Sequence, residues 1–223
     1  MSAGSETIAQ RRIFIARHGS RLDDEDPSWV QKAERPWDPP LAPRGYDQAR
    51  RLGVWLAEKG IDFIFSSPFL RALETAVPLA DLLGLSLRIE PGLSEWLTPE
   101  WFPDPHPVLG FDQLVKRFPL IDRSYIPRGK ARFGETAPEA LQRSGEAALR
   151  LTQDFSGNLA VFGHGASMLG AVAGLLRMDP EPLKSGTLAN PPPSCIAEVV
   201  LAGGKGRLHS VRNFFTNDTD SLK

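Results

Sequence analysis

Apolar and polar positions along this chain fall into two alternating patterns. Short β-rich runs at residues 13–16, 62–66, 86–89 and 159–162, most of them continuously apolar at the centre, are too brief for an amphipathic helix and predict buried strands. Between them, apolar positions recur at helical spacing. Ala49, Leu52, Gly53 and Leu56 give one face to a helix over residues 43–59, opened by Pro43 and closed by Gly60. Ser67-Pro68 has the chemistry of an N-cap and first turn. It predicts a helix that carries Arg71 in its first turn, kinks or breaks at Pro78 and stops at Gly84. Thr136-Ala-Pro-Glu139 is a capping box, and Leu141, Ala148, Leu151 and Phe155 follow on one face. After Gly163-His164-Gly165 another helix aligns Leu169, Val172, Ala173 and Leu176. Residues 195–201 and 207–214 read as closing strands joined by the glycine-rich turn at 203–206, which lacks the spacing of a phosphate-binding P-loop.

Residues 90–133 are irregular and rich in proline and aromatics, too long for an unstructured loop, and predict a lid-like insertion with short helices. Residues 1–10 are expected to be a flexible leader and 217–223 a polar tail, leaving one domain over 11–216. Strands alternating with helices, and apolar on both faces, imply an α/β class: a three-layer α/β/α sandwich around a mostly parallel, mixed sheet. In such sheets ligands collect beyond the carboxyl ends of the strands. His18 follows the first strand, Arg71 opens the helix after the second, and His164 follows the fourth. Topology alone therefore brings three chemically capable residues to one edge.

Composition changes this picture only by exclusion. The 223 residues carry a net charge of −1, with 24% charged and 41% hydrophobic residues, as in an ordinary soluble domain. Neither nucleic acid nor a membrane surface is an expected partner. A single cysteine, Cys195, precludes an internal disulfide framework and fits a cytoplasmic location. No metal-ligand spacing appears, and the acidic run at 23–26 reads as solvated surface, so neither metal nor cofactor is expected.

Arg17-His18-Gly19, with Arg21 close behind, concentrates two guanidiniums around an imidazole at a turn. Guanidinium is suited to phosphate because its planar fork makes paired, charge-assisted hydrogen bonds. Imidazole is a nucleophile near neutral pH. The expected site is a phosphoryl site in which a nitrogen of His18 attacks. His106 and His209 are expected to be structural.

The company of this motif resembles the histidine phosphatases, or phosphoglycerate-mutase-like superfamily. The resemblance rests on Leu41-x-x-x-Gly45-x-x-Gln48-Ala49, then Ser66-Ser67-Pro68-x-x-Arg71-x-x-Glu74-Thr75-Ala76. Further on stand Glu90-Pro91-Gly92-Leu93-x-Glu95-Trp96, Gly134-Glu135-Thr136 and Gly163-His164-Gly165. The motifs are most similar to the branch of the T-cell-signalling suppressor phosphatases and ecdysteroid-phosphate phosphatase. The resemblance implies a metal-independent phosphomonoesterase in which His18 becomes phosphorylated. It further implies that Arg17, Arg21, Arg71 and His164 hold the phosphoryl oxygens and that Glu95 donates the proton.

Three departures stand out. Ala42 replaces a common Thr cap, Glu74 replaces the usual Gln, and Ser20-Arg21-Leu22-Asp23 replaces the Ser-x-Trp-Asn run of the mutases. The last favours hydrolysis over a mutase or phosphotransferase reaction. A non-catalytic phospholigand-binding domain is the third alternative, disfavoured because His18, Glu95 and His164 are all present. The expected partner is a small phosphorylated substrate or a phosphotyrosine-type group, with inorganic phosphate as product; a homodimer stays open. Trp29, Trp37, Trp96, Trp101, Phe102 and Tyr125 either line a pocket for the leaving group or pack the insertion against the sheet.

Overall fold

The computed structural model describes residues 10–103, 107–185 and 188–214. His106, the tail and all but the last residue of the expected leader lie outside them. Six strands form one mixed sheet: β1 (Arg11–Arg17), β2 (Phe63–Ser66), β3 (Leu87–Ile89), β4 (Leu159–Gly163), β5 (Cys195–Ala202) and β6 (Lys205–Asn213). They lie in the order β3-β2-β4-β1-β5-β6. The first four are mutually parallel where they pair, and β5 and β6 run antiparallel at one side.

Each central strand feeds two cores because successive side chains point to opposite faces. Phe14 and Ala16 of β1 pack with α2 (Pro43–Ala57) and α3 (Leu70–Leu83), through Leu52, Leu56, Leu73 and Leu79. Ile13 and Ile15 pack with α5 (Ala137–Asp154) and α6 (Gly165–Leu176), through Leu151, Met168 and Val172. These two helical layers make the sandwich that the two-sided apolar strands predicted. Among the described residues two short helices complete the set, α1 (Leu22–Glu25) and α4 (Phe111–Arg117). Among the described residues no helix is long and apolar enough to cross a membrane.

Several local expectations hold for the predicted reasons. Thr136 and Glu139 close a reciprocal capping box at the start of α5. Gly84 ends α3 at φ 63°, and the two-residue hairpin turn Gly203-Gly204 has φ of 55° and 76°.

The start and interior of α3 differ from expectation. The helix begins at Leu70, and Phe69 at its N-cap offers no side-chain hydrogen bond. Ser67 does not cap it because its hydroxyl faces the Nε2 of His164 at 2.8 Å, leaving the Phe69 amide 3.5 Å away. Nor does Pro78 break it, since α3 runs on to Leu83. There α2 closes on the proline turn through Gly53, where a Cβ would stand 3.0 Å from the Leu79 nitrogen. Tertiary packing supports the backbone that the proline leaves one bond short.

The segment 90–133 holds a 3-10 turn (Pro91–Leu93) and α4. Its two ends are stitched together by Glu90, which is fully buried. One carboxylate oxygen accepts the amides of Gly92 (2.9 Å) and Gly129 (2.8 Å). The other accepts the Tyr125 hydroxyl and the Arg128 amide, both at 2.7 Å.

Candidate active site

The carboxyl ends of β1, β2 and β4 meet at one edge, and hydrogen bonds across the strand ends fix the loops that leave them. The His18 amide donates to the Gly163 carbonyl (2.9 Å), and the Ser67 amide to the Phe162 carbonyl (2.9 Å). The turn after β1 is pressed against the first turn of α2. A Cβ on Gly19 would lie 2.8 Å from the Gly45 carbonyl oxygen, and one on Gly45 only 2.2 Å from that of Ser20. Only paired glycines allow that approach. The turn's amides are taken up by Thr75, whose Oγ1 accepts from Gly19 (3.0 Å), and by Gln48, whose Oε1 accepts from Ser20 (2.8 Å). The Gly45, Gln48 and Thr75 motif positions thus hold the Arg17-His18-Gly19 turn in place.

His18 is buried, and its Nδ1 stands 2.7 Å from the Gly19 carbonyl. A carbonyl can only accept, so Nδ1 carries the hydrogen and the Nε2 lone pair is free. Burial, then the guanidiniums of Arg71 and Arg17, hold the His18 pKa well below the ordinary histidine value. The ring is neutral at physiological pH. His164, whose ring centroid lies 5.3 Å from that of His18, is held neutral by burial and by Arg71. Its Nδ1 is buried without a hydrogen-bond partner, 3.4 Å from Glu95 Oε2.

Arg71 is buried beneath Phe69, its guanidinium 4.4 Å from the ring centroid. Its Nε and Nη1 have no hydrogen-bond partner, and one Nη2 contact reaches Glu95 at 3.8 Å. Burial brings its pKa down to about 10. Arg17 donates to the Pro191 carbonyl and keeps an unpartnered, buried Nε. Buried donors without partners are rare in folded proteins and mark a place for an acceptor. Arg21, the expected extra clamp, lines the same mouth but is engaged by Asp23, with Nε 2.9 Å from the carboxylate. The acidic run at 23–26 thus contributes Asp23, and at 3.9 Å also Asp24, as partners of Arg21.

The structure brings His18, Glu95 and His164 together, each with a ligand-type atom within 4.8 Å of the others. Two imidazoles and a carboxylate can coordinate a metal ion, and sequence spacing gave no sign of the set because it assembles from three separate loops. Arg17, Arg21 and Arg71 around it oppose a cation and favour an anion.

The mouth is a cavity of about 390 Å³ lined by Arg17, Arg21, Glu95, Trp96, Trp101 and residues of α5, α6 and 188–191. Trp96 and Trp101 form an edge-to-face pair with centroids 5.0 Å apart. The other aromatics divide. Phe102 packs on Phe69, Tyr125 packs on Phe65 and also lines a larger apolar cavity of about 820 Å³ under the insertion, and Trp29 and Trp37 line neither that cavity nor the mouth. His209 is exposed on β6.

Sequence reasoning misses the roles of four residues. Ser67, which reads as a helix cap, faces His164 instead. Asp38, 1% exposed in the loop before α2, accepts the Leu70 amide (2.9 Å) and lies in the field of Arg71. Glu135 and Arg143 pair beside Glu95. The one signal for Arg143 was its register, on the buried stripe of α5 between Ala140 and Ala147.

The chain belongs to the histidine phosphatase superfamily (branch 1), whose sequence model matches residues 13–213. Its fold is that of the ecdysone phosphate phosphatase of Bombyx mori, solved with tungstate: TM-score 0.75, 24% identity, covering 90% of this chain and 92% of that one. Among sequence relatives, the transcription factor tau 55 kDa subunit of Saccharomyces cerevisiae is 34% identical over 145 residues, 59% of this chain and 32% of that protein. The ecdysteroid-phosphate phosphatase of Drosophila melanogaster is 26% identical over 196 residues, 71% of this chain and 26% of that protein. The chain therefore spans about a quarter to a third of the length of these curated relatives.

Proposed function

We propose that this chain is a phosphomonoesterase that works through a phosphohistidine on His18. The carrying observation is the His18 ring itself: neutral, its Nδ1 hydrogen committed to the Gly19 carbonyl, its Nε2 lone pair unclaimed among buried cationic donors.

Nε2 attacks phosphorus as the ester oxygen departs, and Glu95 gives that oxygen its proton. Water then attacks the phosphohistidine, Glu95 takes the proton, and the N–P bond breaks to release inorganic phosphate and restore His18. Charge on the transferring group spreads over its equatorial oxygens, so the fixed donors of Arg17 and Arg71 stabilise that charge without reorganising. His164, with its Nε2 facing the Ser67 hydroxyl, is placed to donate from Nδ1. Arg21 contributes charge at the mouth while bound to Asp23. None of these steps calls for a metal.

Family membership and relatives named as phosphatases support this reading. Within the same fold, a mutant of phosphoserine phosphatase from Entamoeba histolytica has been solved with phosphoserine (TM-score 0.62, 20% identity, 92% of this chain and 98% of that one). A small phosphorylated substrate suits the mouth, where Trp96, Trp101, Leu141, Leu169 and Leu188 offer aromatic and apolar surface to the leaving group. The proposal treats 11–216 as one catalytic domain, supported by the single sheet and the match over 13–213, and places it in the cytoplasm, consistent with one buried cysteine. The test is hydrolysis of an aryl phosphate by wild type and His18→Ala, with phosphoglycerate and sugar-phosphate acceptors present. Retained activity in the variant sinks the phosphohistidine, and transfer to acceptors faster than release of phosphate replaces hydrolase with transferase.

A further inference from the structure

We propose that Arg143, held by Glu135, is the positioning residue of Glu95. The inference rests on reading Glu95 as the proton donor. Glu95 follows the 3-10 turn Pro91–Leu93 in irregular chain, so no helix or sheet ladder fixes its backbone. Its own side chain contributes little restraint: one oxygen accepts the Trp96 amide at 3.0 Å, and the other lies 3.4 Å from His164 and 3.8 Å from Arg71.

Arg143 reaches this segment from α5 and divides its guanidinium between two tasks. Nη1 donates to the carbonyls of Gly92 (2.8 Å) and Ser94 (3.2 Å), and Nη2 to the carbonyl of Glu95 itself (3.1 Å). Three carbonyls within four residues thus hang from one side chain. The remaining donors go to Glu135: Nε lies 2.9 Å from one carboxylate oxygen, and Nη2 contacts the other. The pair is almost fully buried, so the bidentate geometry fixes the plane of the fork.

Glu135 grips the far side of the same segment. Its backbone carbonyl accepts the Trp96 indole N–H (2.7 Å), its carboxylate faces the Leu97 amide (3.4 Å), and the Gly134 amide donates to the Leu97 carbonyl (2.8 Å). Residues 92–97 are therefore clamped on both sides of Glu95, by the Arg143 guanidinium on one side and by the backbone of 134–135 with the Glu135 carboxylate on the other, and none of these groups touches a reacting atom. A lysine cannot reproduce this, because a single ammonium cannot span three carbonyls and a carboxylate at once.

A misplaced proton donor has a signature that general damage lacks. Displacement of about 1 Å costs a catalytic group on the order of 100-fold, and the loss appears only where its proton is needed. 4-Nitrophenolate leaves unaided; an alkoxide does not. The experiment measures kcat/KM of wild type, Arg143→Lys, Glu135→Gln and Glu95→Gln across phosphate esters from 4-nitrophenyl to n-propyl. Thermal unfolding of each variant is recorded alongside.

For Arg143→Lys and Glu95→Gln we expect a loss of less than about threefold on 4-nitrophenyl phosphate and on the order of 100-fold on propyl phosphate, with Glu135→Gln between them and wild type. Equal loss on both esters in Arg143→Lys, beside a graded loss in Glu95→Gln, overturns the positioning role and leaves the proton donor standing. Equal loss in Glu95→Gln overturns the reading of Glu95, and this inference with it. Should Arg143→Lys not fold, Glu135→Gln decides by the same criterion.

Discussion

Arg71→Met separates what the proposed phosphate pocket costs from what it provides. Arg71 is 2% exposed, two of its nitrogens lack a partner, and its nearest carboxylate oxygen is 3.8 Å away. A guanidinium brought from 12.5 to about 10 by burial is disfavoured as a cation by about 3 kcal/mol. Methionine fills similar length without the charge. It forfeits the contact with the Phe69 ring, worth about 1 kcal/mol, while the attraction of Glu95 and Asp38 is already counted in the lowered pKa. In phosphate-free buffer the variant should therefore be more stable than wild type by about 1–2 kcal/mol, in the manner of buried charges replaced by apolar side chains. Phosphate at ~100 times its Kd should stabilise wild type by about 2.7 kcal/mol, a rise of roughly 5–10 °C in Tm for a domain of this size, and leave the variant unmoved. Urea titration and thermal melts with and without phosphate measure all four states. A variant that melts below wild type without phosphate and still gains stability with it refutes the argument, because Arg71 would then be structural support.

Asp38→Asn tests a second buried charge near the site. Burial raises the Asp38 pKa to about 6, so the folded protein keeps a proton that the unfolded chain releases near 3.8. Between those values the folded state binds more protons, and rising pH lowers stability, by up to ~3 kcal/mol above pH 6. Asparagine can still accept the Leu70 amide, so the variant's advantage over wild type should grow between pH 4 and pH 7; a constant difference in urea unfolding would contradict this. Glu90→Gln weakens four hydrogen bonds to a buried carboxylate and should cost about 3 kcal/mol, exposing the 91–129 segment to limited proteolysis before global unfolding. Unchanged cleavage kinetics would rule out the latch. EDTA should leave turnover intact, whereas turnover that depends strictly on added divalent ion would turn attention to the His18, Glu95 and His164 set as a metal site.

The parts of this fold that could be read from the sequence are those where one physical requirement dominates locally. β1 and β4 announce themselves because both faces are buried, and the capping box at Thr136 acts over only four residues. The convergence of His18, Arg71 and His164 followed from topology. What escaped depends on partners distant in sequence. Ser67-Pro68 has the right chemistry for a cap, but a histidine 97 residues away takes the hydroxyl. Pro78 is a helix breaker that packing against Gly53 overrides. Arg143 and Asp38 look like ordinary surface residues until the fold buries them beside the site.

The central claim is that the phosphoryl group passes through His18, and rapid quenching during turnover tests it directly. Intact-protein and peptide mass spectrometry after an alkaline quench should find one added phosphoryl group on His18, lost on acid treatment and absent from His18→Ala. Steady turnover with no phosphoryl group on His18, or one on another residue that persists in His18→Ala, would contradict the account.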